Sequence, residues 1–513
     1  AGSPRTTEAP PVKAGRKWCR ARRVLPRCHR CQPVVRGSHR GVHTTLVWVL
    51  CLGTFTCLLT GALDAAISDE RRPERSHGTD EDRLNVILVS RDTVRPDHLS
   101  CYGYHRKTTP NIDQMADDAV VFTQAFTQAP TTFPSHLSIL TSRYPTRQWV
   151  FWEGADLEPS TVTLAEVLKR HGYRTAGFTG MIRDPRFAPL LRSRVFGAFD
   201  QLEPVVTFDP LPDGLFSWLE AHRDEPFFLF VHGFDAHDPH VLRIQYDAKR
   251  FNPTYQGRLA STLFDLVPTL TIDDLKQLPL VDAYRMLHQA HLEQLGAPDG
   301  VHPSDLNHLK ALYDAQIFYL DHGFGRLFWA LRNLHLMERT LLVILSDHGE
   351  GFGEHGAYAT HGQGYDEITR MVLIVRDPRL KGTGRTVHHI VQGIDVMPTI
   401  LELLELPIPE SAQGRSLVPL LRTGRDPGRE AVAVSIGQGM RAIRTPGWKL
   451  IHRSDGGQEL YQVAKDPEER HNRITRHPAV ARHLEHRLDA VVSPEAAGAV
   501  AGAEQWMREH GYW

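Results

Sequence analysis

Three apolar runs, far apart along the chain, each end in acids and imidazoles: Ser90-Arg91-Asp92-Thr93, Asp235-Ala236-His237-Asp238 and Ser346-Asp347-His348-Gly349-Glu350. In open α/β sheets, ligands gather beyond the carboxyl ends of strands, so these residues fall where chemistry is expected. A lone Asp at a strand end is more often a helix cap than a ligand. Three such ends in one sheet point instead to a site. Asp92, Asp347 and His348 offer two hard oxygens and a nitrogen, a set suited to a divalent cation such as Mg²⁺, Mn²⁺ or Ca²⁺. A fourth stretch, "APTTFPSHLSILTSRYP" from Ala129 to Pro145, leads a Pro-Ser-His turn into an apolar segment, presenting a hydroxyl at the mouth of a helix. Thr132 gives the cation a hydroxyl ligand that it can acidify, and a helix beginning near Pro134 would aim backbone N–H groups at an anion. The blander alternative for Thr132 is a helix N-cap.

These residues need a scaffold, and the pattern around them supplies one. "LNVILVS" and "RTLLVILSDHGE" read as buried parallel strands, "PFFLFVHGFDAH" as a third strand, and "TVTLAEVLKRHGY" and "DLNHLKALYDAQIFYLDHGFGRLFWALRNL" as helices. This alternation signals an α/β fold, a sheet covered by helices on both faces. The less regular stretch from about Val241 to Pro303 is expected to cap the site. Gly, Pro and charge near Arg425 to Arg429 mark a boundary, followed by short strands and a helical tail. The expected organisation is residues 84–424 as the catalytic domain and 430–513 as a smaller C-terminal antiparallel β subdomain with that tail.

Across 513 residues the net charge is -1, yet the segment before His43 is rich in Arg and Lys with the single acid Glu8, so the remainder is acidic. An acidic body argues against nucleic acid as a partner, since such binding rests on many basic side chains. Residues 1–43 read as a basic disordered tail. Residues 44–63, "TTLVWVLCLGTFTCLLTGAL", are uncharged and long enough to cross a bilayer, and 64–83 form a linker. Basic residues before the apolar stretch place the following domain extracytoplasmically, attached through a membrane anchor or, if a signal is cleaved there, secreted or periplasmic. Of six cysteines only Cys101 lies in the acidic body, where it has no internal partner; Cys28 and Cys31 have the spacing of half a zinc knuckle without a second pair.

"NVILVSRDTVRPDHLSCYGY", "TTPNIDQMADDAVVFTQAFTQAPTTFPSHLSILTSRYPT", "LLVILSDHGEGFGEHG", "GIDVMPTILELLELPIPESAQGRSLVPLL" and "ELYQVAKDPEER" together resemble the sulfatase family of the alkaline phosphatase superfamily, in order from about Leu84 to Arg470. The resemblance implies an alkaline phosphatase-like fold, a large mixed β-sheet between helices with a small C-terminal four-stranded domain. It implies metal ligation by Asp92, with Thr93 in place of a second aspartate, and by Asp347 and His348. His237 and His361 match the family's contacts to the substrate anion. Thr132-Phe133-Pro134-Ser135-His136 aligns with Cys-x-Pro-Ser-Arg, so Thr132 stands at the nucleophile and His136 at the arginine. Threonine cannot become the formylglycine of the main sulfatases, and "GFTGMIRDP" lacks the lysine of the family's Gly-Lys-Trp-x-His segment. Thr132 instead resembles the nucleophile of related phosphodiesterases and phosphoglycerol or phosphoethanolamine transferases.

The resulting expectation is a metal-dependent hydrolase of anionic sulfate or phosphate esters, with catalytic Thr132, His237, His361 and His136 and one cation on Asp92, Thr132, Asp347 and His348. A second cation on Asp235, His237 and His361 is the alternative use of those side chains. A membrane-anchored head-group transferase and a non-catalytic binding protein that keeps the fold are the competing functions.

Overall fold

A computed structural model describes residues 83–491 except 146–159, 184–190, 192–193, 206–207, 239, 241–247, 258, 260–279, 296–300, 357, 359–360, 381–383, 429–431 and 438. The apolar stretch 44–63 lies outside these residues. Among the described residues no helix is long and apolar enough to cross a membrane.

The larger sheet is mixed. Its strands are β1 (Asn85–Arg91), β2 (Val120–Phe126), β3 (Arg174–Thr179), β4 (Gln201–Pro204), β5 (Phe227–Gly233), β6 (Thr340–Ser346), β7 (Arg370–Met371), β8 (Leu373–Arg376) and β9 (Arg385–Gln392). They are ordered β4-β3-β5-β1-β6-β8-β2-β7, with β9 beside β2. At the centre, β1 runs parallel to both β5 and β6. All seven residues of each of these three strands are buried. That burial explains their near-continuous apolar composition, because helices cover both faces and leave no side for polar residues.

Alternation along β1 divides the core. Val86 and Leu88 pack with Phe228, Phe230, Val343 and Leu345 against residues of the helices Thr132–Thr141, Leu164–Arg170 and Val396–Leu403. Ile87 and Val89 face the other way, toward Leu215 and Leu219 of Asp213–Ala221 and Leu309, Ile317, Leu320 and Phe324 of the helix Pro303–Asn333. Gly323 of that helix lets the Phe208 backbone approach closely, since a Cβ there would lie 2.1 Å from the carbonyl oxygen of Phe208.

The second sheet is antiparallel, β10 (Ala433–Gly437), β11 (Met440–Arg444), β12 (Lys449–Arg453) and β13 (Gln458–Tyr461) in sequential order. The helix Pro478–Val491 buries Ala481, Leu484 and Leu488 against Val434, Ile443 and Leu450. The small sheet leans on the large one through main-chain bonds such as Ile436 N–H to the Gln128 carbonyl (2.8 Å). Buried Lys449 adds an ionic tie, 2.7 Å from Asp366 and 3.1 Å from Glu469. Cys101 is a free thiol.

Candidate functional site

The register of the central strands brings the three chemistry-bearing ends side by side. Arg91 at the end of β1 pairs with Gly233 of β5 and Ser346 of β6, so Asp92 and Asp347 leave the sheet together. Thr93 then turns with φ 56°, a left-handed conformation that a β-branched residue rarely adopts. Neighbouring structure holds the turn. Thr93 N–H donates to Asp347 Oδ1 (3.2 Å), and the Tyr313 hydroxyl donates to the Thr93 carbonyl (2.7 Å). Strain kept in place by such contacts is common where backbone geometry serves a site.

Thr132 is the first residue of its helix, two positions earlier than the proline suggests, and Thr131 takes the cap position without a side-chain cap bond. Pro134 fits within that first turn because its missing N–H would have no intrahelical partner there. The Thr132 hydroxyl donates to Asp92 Oδ2 at 3.0 Å and lies 3.4 Å from His348 Nε2. His348 Nδ1 sits 2.9 Å from the Gly349 carbonyl, which places the ring proton on Nδ1 and leaves Nε2 a lone pair directed at the carboxylates. Nε2 is 3.5 Å from Asp347 Oδ2 and 4.0 Å from Asp92 Oδ1.

This geometry fits a cation. Asp92, Asp347 and His348 are fully buried, and each contributes a ligand atom within 4.8 Å of the others. Asp92 Oδ1 and Asp347 Oδ2 have no hydrogen-bond partner. Burial, reinforced by the charge of Asp92, pushes the Asp347 carboxyl well above the ordinary carboxylate range. For Asp92 burial acts the same way, but the neighbouring imidazoles, His232 first and then His237 and His348, outweigh it and hold the group below that range. Two buried carboxylates with unbonded oxygens repel each other unless a positive ion lies between them.

His136 serves a different end. Its Nδ1 donates to the Thr132 carbonyl (2.7 Å), its Nε2 accepts from Ser90 Oγ (2.7 Å), and the ring is 1% exposed. Burial, then His232, lowers its pKa to about 3, so the ring is neutral. With both nitrogens engaged, it fastens the turn at Thr132 and leaves no lone pair for the His136, His232 and Asp347 cluster.

His237 and His361 close the site on the β5 side. The His361 ring lies 4.5 Å from that of His348 and 5.1 Å from that of His237. His361 Nδ1 is 3.7 Å from buried Glu350, whose carboxyl burial and Asp238 push up to about 8. Glu350 thus stands beside the histidines, while its carbonyl accepts from Arg95 at 3.0 Å. The acid grouped with His237 and His361 is Asp238. Asp235, expected as a ligand of a second cation, instead accepts from the Phe208 N–H through Oδ2 (2.7 Å). Burial opposes a charge on His237, but Asp238 overcomes it and raises the pKa to about 10.

One participant escaped the sequence reading. His232, fully buried within β5, lies 3.4 Å from Asp92 Oδ2, and its Nδ1 is 3.0 Å from the Thr179 hydroxyl. In sequence it ends an apolar run and reads as core; its signal is the two-residue alternation that stacks it beneath Phe230.

The family model described as Sulfatase matches residues 84–406, and that described as N-sulphoglucosamine sulphohydrolase, C-terminal, matches residues 353–493. Arylsulfatase K of Canis lupus familiaris is 24% identical over 462 residues, covering 81% of this chain and 84% of that protein. A sulfatase of Formosa agariphila is 24% identical, covering 76% and 82%. The crystal structure of the phosphonate monoester hydrolase of Agrobacterium radiobacter superposes with a TM-score of 0.64 at 23% identity, covering 80% of this chain and 96% of that one. A complex with D-glucosamine-2-N,6-O-disulfate as substrate gives 0.65 at 21% identity, covering 80% and 99%. Matched over most of its length by the family model and carrying the family's mixed sheet and small C-terminal sheet, the chain belongs to the sulfatase family and is an ester hydrolase of that family.

Proposed function

We propose that this hydrolase cleaves phosphoric esters, diesters foremost, with Thr132 as the nucleophile. The observation that carries the reading is the placement of Thr132 Oγ1 at 3.0 Å from Asp92 and 3.4 Å from His348, beside two buried carboxylate oxygens without hydrogen bonds. Asp92, Thr132, Asp347 and His348 would hold one Mg²⁺, Mn²⁺ or Ca²⁺, which when bound supplies Lewis acidity and offsets the charge of the ester.

In this reaction Thr132 Oγ1 attacks phosphorus in line, its proton passing to Asp92 Oδ2 as the Oγ1–P bond forms. The bond to the leaving oxygen breaks, and His237, charged at neutral pH, protonates that oxygen, with His361 beside it. Water then attacks the phosphothreonine phosphorus and gives its proton to the now neutral His237. Asp92 returns its proton to Oγ1 as the Oγ1–P bond breaks. The N–H groups of the first helical turn face the transferring group and favour its negative charge.

Threonine chemistry is what favours phosphorus. A formylglycine hydrate can release sulfate by collapsing to an aldehyde, whereas a threonine ester must be opened by a second attack at the central atom. The sulfated substrates of the relatives, including the disulfated glucosamine of the solved complex, are the second reading. A head-group transferase would use the same first step with an alcohol replacing water. A non-catalytic binding protein is disfavoured because it would have no use for unpaired buried carboxylates. The basic segment preceding residues 44–63 supports an extracytoplasmic catalytic unit tethered to, or released from, a membrane.

The test is turnover by the full-length chain of an aryl sulfate, a phosphate monoester, a phosphodiester and a phosphonate monoester with each cation. Diester turnover lost in T132A supports the reading. Sulfate turnover alone, or diester turnover retained in T132A, overturns it.

A further inference from the structure

His237 is held by its neighbour Asp238, which is held in turn by a side chain from outside the strand ends. His237 Nδ1 lies 2.8 Å from the Asp238 carbonyl and 3.1 Å from Asp238 Oδ1. With Nδ1 committed, Nε2 is the nitrogen that would meet an ester. Asp238 is 2% exposed, so an unanswered oxygen on it would carry a full desolvation penalty. That second oxygen, Oδ2, receives Nδ1 of His288 in a short hydrogen bond.

His288 belongs to the helix Leu280–Leu295, which lies in the stretch between β5 and the long helix Pro303–Asn333. Its side chain is 28% exposed, at the rim of the cluster, whereas Asp238 lies beneath it. Both oxygens of Asp238 therefore already accept hydrogen bonds from imidazoles. Asp238 and, more weakly, Glu350 favour the charged form of His288, against burial and the like charge of His237.

We propose that His288 is a positioning residue, which clamps Asp238 so that Asp238 fixes the direction of His237. The capping helix is thereby wired to the imidazole that meets the ester: the acid-base group reaches its working orientation only with this helix seated. The inference rests on the proposed use of His237, but the clamp itself is a property of the substrate-free protein and can be observed without turnover.

Two substitutions separate clamping from packing. H288L keeps the bulk and removes the donor. H288N places an amide N–H close to where Nδ1 lies. In protein labelled with ¹⁵N-histidine, the exchange-protected Nδ1 proton of His237, assigned through H237N, should be present in the wild type and H288N and lost in H288L. On whichever ester the wild type hydrolyses, H288L should lower kcat/KM about tenfold, mainly through kcat, and H288N should recover most of it. An unchanged His237 proton in H288L overturns the proposal. Equal loss in H288L and H288N with lowered thermal stability assigns His288 to packing and overturns it as well. T132A should abolish turnover without moving the His237 signal. A wild type inert toward every ester would sink the nucleophile reading and leave the proton signal to decide the clamp.

Discussion

Replacing Asp347 by Asn should make the metal-free protein more stable while abolishing its response to metal. Asp347 Oδ1 accepts from Thr93 N–H and His348 N–H, and an amide oxygen can keep both bonds. Oδ2 accepts none and lies 3.5 Å from His348 Nε2. An amide nitrogen there donates to that ring or to Asp92 and removes one of two mutually repelling charges. Relieving a buried unsatisfied group is worth about 1–3 kcal/mol. The sign with pH follows from the raised pKa of Asp347. A carboxyl whose pKa is raised on folding supports the fold while protonated, below its unfolded value near 4, and loses that contribution as pH climbs through the folded value. D347N should therefore match the wild type near pH 4 and exceed it increasingly toward neutral and alkaline pH. With metal at about 100 times its Kd the wild type gains about 2.7 kcal/mol, and D347N gains nothing. Denaturant unfolding in chelator and in excess Mn²⁺, across pH, measures all of this. D347N less stable than the wild type in chelator, or equally stabilised by Mn²⁺, would refute the cation site as drawn.

Other substitutions probe the surrounding parts. T132A should lower turnover by at least about 1,000-fold with an unchanged melting temperature, and T132S should retain measurable turnover, both read by steady-state kinetics. G349A would set a Cβ 2.0 Å from the Glu367 carbonyl and displace the neighbouring His348, so about 1–3 kcal/mol of stability and most of the metal affinity should be lost, seen by denaturation and calorimetric titration. K449M leaves Asp366 and Glu469 facing each other without their buried ammonium; about 3 kcal/mol should be lost, and more at pH 8.5 than at pH 6, since burial already raises Glu469 to about 7.

The sequence was most readable where burial was most complete. β1, β5 and β6 carry near-continuous apolar runs because no face of them meets water, and the polar residues that end each run mark where the strands stop. Hence Asp92, Thr132, Asp347 and His348 could be named together, and the structure brings them within hydrogen-bonding or coordinating distance. Positions whose role depends on direction were less readable. Asp235 and Asp238 are equivalent on paper, yet the first is taken by a backbone N–H and the second meets the imidazoles. His136, expected among the catalytic residues, is seen as a brace only through its bonds to Thr132 and Ser90. His232 was hidden by its apolar neighbours, and His288 by a stretch between β5 and the long helix without a clear period.

The adjacency of β5, β1 and β6 has a bearing on how the enzyme comes into being. Thr93 and Asp347, which share a hydrogen bond, are 254 residues apart. At about 5–20 residues per second a ribosome takes roughly 13–50 s to travel that distance, and until then β1 waits without one of its two parallel neighbours. Its edge stays open on that side throughout the interval, which makes this centre a late product of synthesis.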